Sequence, residues 1–576
     1  MQKIFDFHFH LLFKHYIADP KLKLDVDQGF KTSGVAKVLN ELVGGSFDSQ
    51  SSPSQVKESP LFLGVISLSS VEYAFAERIL SICGNDFSFI LPVKHQIFDR
   101  IKQHQTTYWK DFMGIVAQHR KSMPKLAKAP FSIEFLKRND FKGKSIEAIE
   151  SALTDGNRRS FALAIEGGHN LSDVPSGNEQ SILSANPHHQ MKTLQEMKDF
   201  DFMSINLCHL SDIPEQRLGG FAQGVNKLSQ RAFKSDYFLP SVGLGLTELG
   251  KKLIGQCLLH PERPVLIDVK HMSLYTRLEY YRFKDRLAQD SPDVARLPVI
   301  SSHTGFTFTS IDQYLNSQRY RSYVNEGDSG KEAMIEPENR KIGRTDDKIN
   351  KGLYANPWTI NLFDEEIAEI MASGGMMGIS LDQRILGASN PAMDAVRDHY
   401  YEKEQVAYYE FKKLFKEGRL PGEEGFIQAL GIAPSKEERH FMLLCMHIVH
   451  AVKVGYDKLP WHEGTSPWDH ICIGSDFDGL INPINGYENI TKMGKLGKDL
   501  RHYLPLADKF HLYDKDLTAL RYNEDGSVNE DFLNTAIEKF TYRNGLRFIA
   551  RYLTNWSEKE WETAKKNATS AEAHSS

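Results

Sequence analysis

Short apolar runs of strand length recur along the chain: Lys3–Phe9, Leu61–Ser67, Phe161–Ile165, Phe202–Leu207, Val265–Val269, Leu297–Ser301, Gly375–Leu381 and Ile471–Ile473. Stretches with helical spacing of apolar positions precede the last six. These are Ser145–Leu153, His189–Lys198, Leu246–Leu259, Tyr275–Ala288, Asp364–Ala372 and Glu437–Val454. Strands that alternate with helices predict βα units and a parallel sheet. Eight such strands are the number that closes a (β/α)8 TIM barrel, of the α/β class. A doubly wound open sheet is the alternative, but no glycine-rich phosphate fingerprint follows the first strand.

The spacing between runs is uneven. Residues 306–355, rich in Ser, Asn, Arg and Lys, read as a long loop, and residues 385–465 include a charged helix, Val396–Glu417. Both are expected as insertions into one barrel spanning residues 1–556, because barrel loops tolerate additions on the catalytic face. The helical stretch Asp531–Leu553 is expected to close the barrel. Residues 557–576 are expected to form a C-terminal helix and a disordered tail, ending in the small, polar run Ala568–Ser576.

Composition narrows the function classes. Hydrophobic residues make up 41% and charged residues 25%, the proportions of a folded protein. The net charge of −5 leaves no basic excess, so nucleic acid is not an expected partner. The five cysteines are odd in number and widely spaced, which argues against a disulfide framework or a cysteine zinc knuckle and fits a reducing compartment. No signal-peptide pattern opens the chain, and no apolar run reaches the roughly 18 residues of a membrane span. A cytoplasmic location is therefore expected.

Chemistry collects where the strands end. The first run contains His8 and is followed by His10. The later runs are followed by Glu166, His209, His271, His303 and Asp476. His, Asp and Glu fill only about a sixth of the chain, yet they occupy all six of these ends. In a barrel the C-terminal strand ends converge on one site, and imidazoles with carboxylates make a nitrogen and oxygen metal site. Side chains at i and i+2 of a strand share a face, so His8 and His10 project together while Phe5, Phe7 and Phe9 face the helices.

These residues also carry a family resemblance. Ala162–His169 (ALAIEGGH), Ser204–His209 (SINLCH), Leu266–Ser273 (LIDVKHMS), Pro298–His303 (PVISSH) and Gly474–Gly479 (GSDFDG) resemble, in order, the membrane dipeptidase family. That family is the renal-dipeptidase-like M19 branch of the amidohydrolase superfamily. Gly245–Gly250 and Tyr542–Arg547 fit the same order. The resemblance runs from residue 6 to about residue 550, interrupted by the insertions.

The resemblance implies a distorted TIM barrel with two divalent metal ions, zinc in the family, that share Glu166. His8 and His10 would complete the first site, and His271 and His303 the second. Asp476 would sit beside the first ion and handle the proton. His209 would touch the substrate and stabilise the tetrahedral intermediate. A water bridging the ions, acidified to a pKa near about 7, would supply the attacking hydroxide. The implied substrate is a dipeptide or related small amide, and a homodimer is compatible with the reading. Two positions depart from the family. His10 stands where aspartate is usual, and Ile360 stands where the family's carboxylate-binding arginine is expected. Arg340 or Arg344 is the candidate replacement. Hydrolysis of a lactone, cyclic amide or phosphoester stays open as a second reading, and a non-enzymatic barrel scaffold as a third.

Other conspicuous residues read as bland. Asp6 is either an imidazole-orienting group or a structural acid, and Asp268 and Asp478 are structural or supporting. Lys270, one residue before His271, is expected to face away from the site. His169, His188 and His189 are assigned to loops. His447 and His450 lie on a helix with no glutamate between them, so no zincin motif exists. Cys208 and Cys472 read as core residues.

Overall fold

The structure is a computed structural model. It describes residues 2–556 apart from 19–24, 33–36, 38–39, 41–46, 74–94, 104, 129–131, 155–157, 175–185, 212–216, 225–239, 241–243, 317–319, 328–329, 338–341, 343–352, 354, 389–403, 417–435 and 514–516. The expected tail at 557–576 therefore lies outside the described residues, as do Arg340 and Arg344.

Twelve strands occur among the described residues: β1 (Ile4–Phe9), β2 (Leu61–Leu68), β3 (Ser132–Phe135), β4 (Arg158–Ile165), β5 (Phe202–Asn206), β6 (Leu266–Asp268), β7 (Ile300–Thr304), β8 (Tyr320–Gly327), β9 (Gly330–Pro337), β10 (Met376–Ile379), β11 (Glu404–Val406) and β12 (Ile471–Ile473). Eight of them form a closed parallel ring in the order β1-β2-β4-β5-β6-β7-β10-β12, with β12 pairing back onto β1. This is the (β/α)8 barrel, and its eight strands are the eight apolar runs. β3 was not foreseen. It pairs with the opening half of β4 alone.

β1 shows why these runs are strands. All six of its residues are buried, as barrel strands are on both faces. Phe7 meets Phe548 of the closing helix Asn544–Leu553 edge-on, with ring centroids 5.3 Å apart. The same helix lays Gly545 against the Phe5 ring, where a Cβ would collide with it. On the interior side, β7, β10 and β12 crowd together around the Ser302 carbonyl, and a Cβ at Gly378 or Gly474 would run into that oxygen. Glycine at both positions lets three strands close tightly beneath the mouth. β7 begins at Ile300 rather than Leu297, because Pro298 has no N–H to give to the ladder. His303 consequently lies inside its strand instead of after it.

The insertions are more ordered than expected. Residues 306–355 contain the helix Ile311–Asn316 and the antiparallel hairpin β8–β9, and β11 adds to β9 to make a three-stranded sheet. Tyr320, Ala333, Ile335, Phe363, Phe411 and Phe415 form its core. An antiparallel sheet wets one face, so its polar residues disguised it as a loop. The charged helix expected at Val396–Glu417 also changes. Its described part is the strand Glu404–Val406 and the helix Tyr408–Leu414, separated by the extended residue Ala407. No described helix is long and apolar enough to cross a membrane.

This inserted layer buries two acids. Glu404 accepts the backbone N–H of Thr359, and Glu410 leaves Oε1 without a hydrogen-bond partner. Burial pushes both carboxyls up to about 7, partly opposed by Thr359 at Glu404 and by Ser273 at Glu410. An acid whose folded pKa is raised gives stability that is full below its unfolded value and is lost as pH rises through 7. Glu410→Gln should therefore gain on the wild type by about 2–3 kcal/mol between pH 5 and pH 8.5. Urea midpoints at the two pH values check this, and an advantage that does not change with pH contradicts it.

Candidate metal centre

Glu166 follows β4 directly, and its carboxylate lies at the centre of the barrel mouth. Its two oxygens are 3.2 Å from His8 Nε2 and 3.2 Å from His10 Nε2. Oε1 is also 3.4 Å from His209 Nε2, 3.7 Å from His271 Nε2 and 3.7 Å from His303 Nε2. One carboxylate thus faces five imidazole nitrogens. Asp476 Oδ1 approaches from the β12 side, 3.7 Å from His8 Nε2 and 3.8 Å from His10 Nε2.

Ligand-type atoms gather in two overlapping groups. His8, His10, Glu166 and Asp476 offer one set, and Glu166, His271 and His303 a second, each set with its atoms within 4.8 Å of one another. The Nε2 atoms of His8 and His10 lie close to Glu166 yet have no hydrogen-bond partner. Nε2 of His271 faces Nε2 of His303 at 3.0 Å. Buried ring nitrogens that converge on one carboxylate, those of His8 and His10 without a partner, suit cations between them, so the donor set fits metal.

The backbone aims these groups. His10 N–H donates to Phe477 O, and Asp476 N–H donates to His8 O, which ties the β1 and β12 ends together. Asp476 and His271 have φ values of 64° and 70°, left-handed conformations that non-glycine residues seldom adopt. Ser302 is a support that the sequence reading missed. Its Oγ lies 3.0 Å from His8 Nδ1 and 2.9 Å from His303 Nδ1. A hydroxyl has two acceptor lone pairs. It can take an N–H from both rings, which turns both Nε2 lone pairs toward the centre. Ser302 is the residue just before His303, so the only available signal was its place in the run PVISSH.

Glu72, just past β2, was also missed. It lies 3.0 Å from His209 Nδ1 and accepts the Ser211 hydroxyl at 2.8 Å. Burial opposes its charge, but His209 more than offsets this and holds its carboxyl down at about 2. His209, held between Glu72 and Glu166, is raised well above the usual histidine range despite burial. Burial also works against a charge on His10, yet Glu166 and Asp476 hold it up at about 9. Burial pulls His271 down to about 3.

Most of the bland readings hold or narrow, and the loop assignment of three histidines changes. Asp6 grips backbone rather than an imidazole. It accepts the N–H groups of Ser475 and His8, and burial raises its carboxyl to about 7. Asp268 accepts the N–H groups of Lys270 and Ser302, and Asp478 pairs with Lys14 at 2.8 Å, so both are structural. His188 and His189 begin the helix Pro187–Glu196, and His169 sits in the 3-10 turn Gly168–Leu171, none of them in open loops. His447 and His450 are on the helix Lys436–Lys458, bonded to Leu386 O and Asp364. Cys208 and Cys472 are buried. Ile360 is buried in an apolar cluster with Ala222, Trp358 and Ile385.

Lys270 departs furthest from expectation. It is 2% exposed and feels the charge of Asp476, one of the ligand groups. Facing away assumed strict alternation with His271. Strand geometry ends at Asp268, and the left-handed turn at His271 breaks that alternation. Burial lowers the ammonium to about 8, with Asp476 opposing.

No family model and no curated protein matches the chain. Solved structures do. A metallo peptidase from Rhodobacter sphaeroides, liganded with a phosphinate mimic of the dipeptide L-Ala-D-Ala, is 14% identical with a TM-score of 0.42, covering 96% of this chain and 99% of its own. The dipeptidase AC, a metallo peptidase of family M19, is 14% identical with a TM-score of 0.41, covering 97% and 99%. The probable dipeptidase PvdM from Pseudomonas aeruginosa is 12% identical with a TM-score of 0.41, covering 96% and 95%.

Two ligand groups that share one carboxylate predict unequal losses on mutation. Zinc-loaded, desalted protein should keep about two ions per chain, His303→Asn about one, and Glu166→Gln fewer than one. Elemental analysis of the three proteins measures this. Equal metal content in all of them rules the arrangement out.

Proposed function

We propose that the chain is a dinuclear metal-dependent hydrolase of small peptides or related amides. The observation that carries the reading is Glu166, placed within 3.7 Å of five imidazole nitrogens and shared by both ligand groups. His8, His10 and Asp476 would hold one divalent ion, His271 and His303 the other, with Glu166 common to both. Such ions, zinc foremost for a nitrogen and oxygen donor set, acidify water and polarise a carbonyl when bound.

The chain's own residues supply the rest. His209 carries a proton, and its Nε2 faces the same space as the ligand groups. It donates a hydrogen bond to the oxygen that gains charge as water adds to the carbonyl. An oriented donor of this kind is worth about 3 kcal/mol. Glu72 holds the opposite ring nitrogen, which fixes the ring's direction and keeps it protonated. The Asp476 carboxylate accepts the proton lost by the attacking water and returns it to the leaving nitrogen. The carbon–oxygen bond forms, the carbon–nitrogen bond breaks, and no net proton is gained or lost by the protein. Burial of all these groups strengthens each interaction by excluding bulk water.

Ile360 keeps a second reading in play. An apolar side chain at the position expected for arginine removes that arginine's grip on a peptide carboxylate. Another amidohydrolase reaction, on a lactone, cyclic amide or phosphoester, fits the same ligand groups. A panel of dipeptides, including those with a C-terminal D-residue, beside lactone and phosphoester substrates separates the two readings. Cleavage confined to the latter group overturns the peptidase reading.

Two substitutions test the roles. Asp476→Asn, compared with wild type at matched metal content, should lower kcat by about 10² to 10⁴, and unchanged turnover removes Asp476 from the proton path. Glu72→Gln should lower kcat by roughly tenfold or more while KM and metal content stay near wild type. A change confined to KM argues against Glu72 acting through His209.

A further inference from the structure

Three lysines illustrate how this protein treats a buried ammonium. Lys14 pairs with Asp478 at 2.8 Å, and Lys453 pairs with Asp508 at 3.0 Å. Lys270, just as buried at 2% exposure, has no hydrogen-bond partner for Nζ. The acids whose charge it feels are already engaged. Asp382 is held by Arg384, at 2.6 Å and 3.0 Å. Asp268 accepts the N–H groups of Lys270 and Ser302. Asp476 faces His8 and His10. A buried ammonium with three unused donors is costly unless an anion completes it.

The place of that ammonium is defined by its neighbours. Lys270 N–H donates to Asp268, and its carbonyl accepts Asn206 Nδ2, which fixes the backbone at the β6 end. Lys270 directly precedes His271, so its backbone stands at the β6 end beside the second ligand group. Among the described residues the nearby arginines are committed. Arg277 grips Glu366 at 2.6 Å, and Arg384 grips Asp382. Ile360 offers no charge at all.

We propose that Lys270 is a specificity-determining residue whose ammonium binds the free carboxylate of the substrate, next to the bond that is cleaved. The substrate class is then a small amide carrying a carboxylate, not a neutral amide or an internal peptide bond. This rests on the hydrolase reading above and adds the anion-binding group to it.

The test uses zinc-loaded full-length wild type, Lys270→Met, Lys270→Gln and Lys270→Arg, each checked for metal content. L-Ala-L-Ala and its C-terminal amide are the paired substrates, and inorganic phosphate, titrated calorimetrically, is a binding probe that needs no turnover. Wild type should prefer the free acid. Lys270→Met and Lys270→Gln should lose that preference through KM and weaken phosphate binding by about tenfold or more, while Lys270→Arg keeps most of both. An undiminished free-acid preference and undiminished phosphate affinity in both neutral variants overturn the proposal. So does loss of metal in both, which marks the lysine as structural. If wild type cleaves neither substrate but binds phosphate in a Lys270-dependent way, the anion site stands and the peptidase reading fails.

Discussion

One buried carboxylate organises this molecule. Glu166 faces five imidazole nitrogens at 3.2–3.7 Å, in a place where bulk water cannot share its charge. An isolated ionised carboxylate there would cost several kcal/mol. The surrounding ring nitrogens offset that cost, and His209 supplies a positive charge outright. In return the carboxylate fixes where each ring must lie. The barrel meets this demand by closing: strands β1, β4, β7 and β12 carry their ends to one mouth, although their residues are hundreds of positions apart in the chain.

Support for the site comes from groups that bond backbone as much as side chains. Asp6 joins β1 to Ser475 beyond β12, while Asp268 joins the β6 end to Ser302 on β7. Ser302 then holds His8 and His303 by their outer nitrogens. Gly378 and Gly474 give the Ser302 carbonyl its room. A chain of contacts therefore runs from small residues that allow tight closure, through one hydroxyl, to two rings with lone pairs directed at Glu166. The strain of left-handed backbone at His271 and Asp476 sits at the same site, where positioning justifies it.

The barrel was legible because its strands are buried on both faces, which leaves short, nearly unbroken apolar runs. The groups around Glu166 were legible because they stand at the ends of those runs. The three-stranded insertion was not, since its outer face is solvated and its residues read as loop. Glu72 was hidden for another reason. It lies on a strand end with no histidine of its own, and only the fold brings it to His209, 137 positions away. Lys270 was misread because parity along a strand says nothing once the backbone turns left-handed at the next residue. Ser302 was overlooked beside a more conspicuous histidine. In each case the missing information is three-dimensional: a distance across the mouth, or one φ angle.

Charge is the final constraint on what this mouth can hold. Glu166 and Asp476 are the two acids in the ligand groups, and two divalent cations would bring more positive charge than they cancel. His10 stands where the resembling family has an aspartate, so one further negative charge is missing. Glu72 is balanced by His209 and contributes no surplus. Lys270 then adds an ammonium with no hydrogen-bond partner for Nζ among the described residues. A neutral ligand would leave this excess untouched, whereas an anionic one lowers it directly, in surroundings where screening by water is weak. The apolar Ile360 and the cationic Lys270 therefore belong to one argument. The charge that would hold an anion stands instead at the β6 end, one residue before His271.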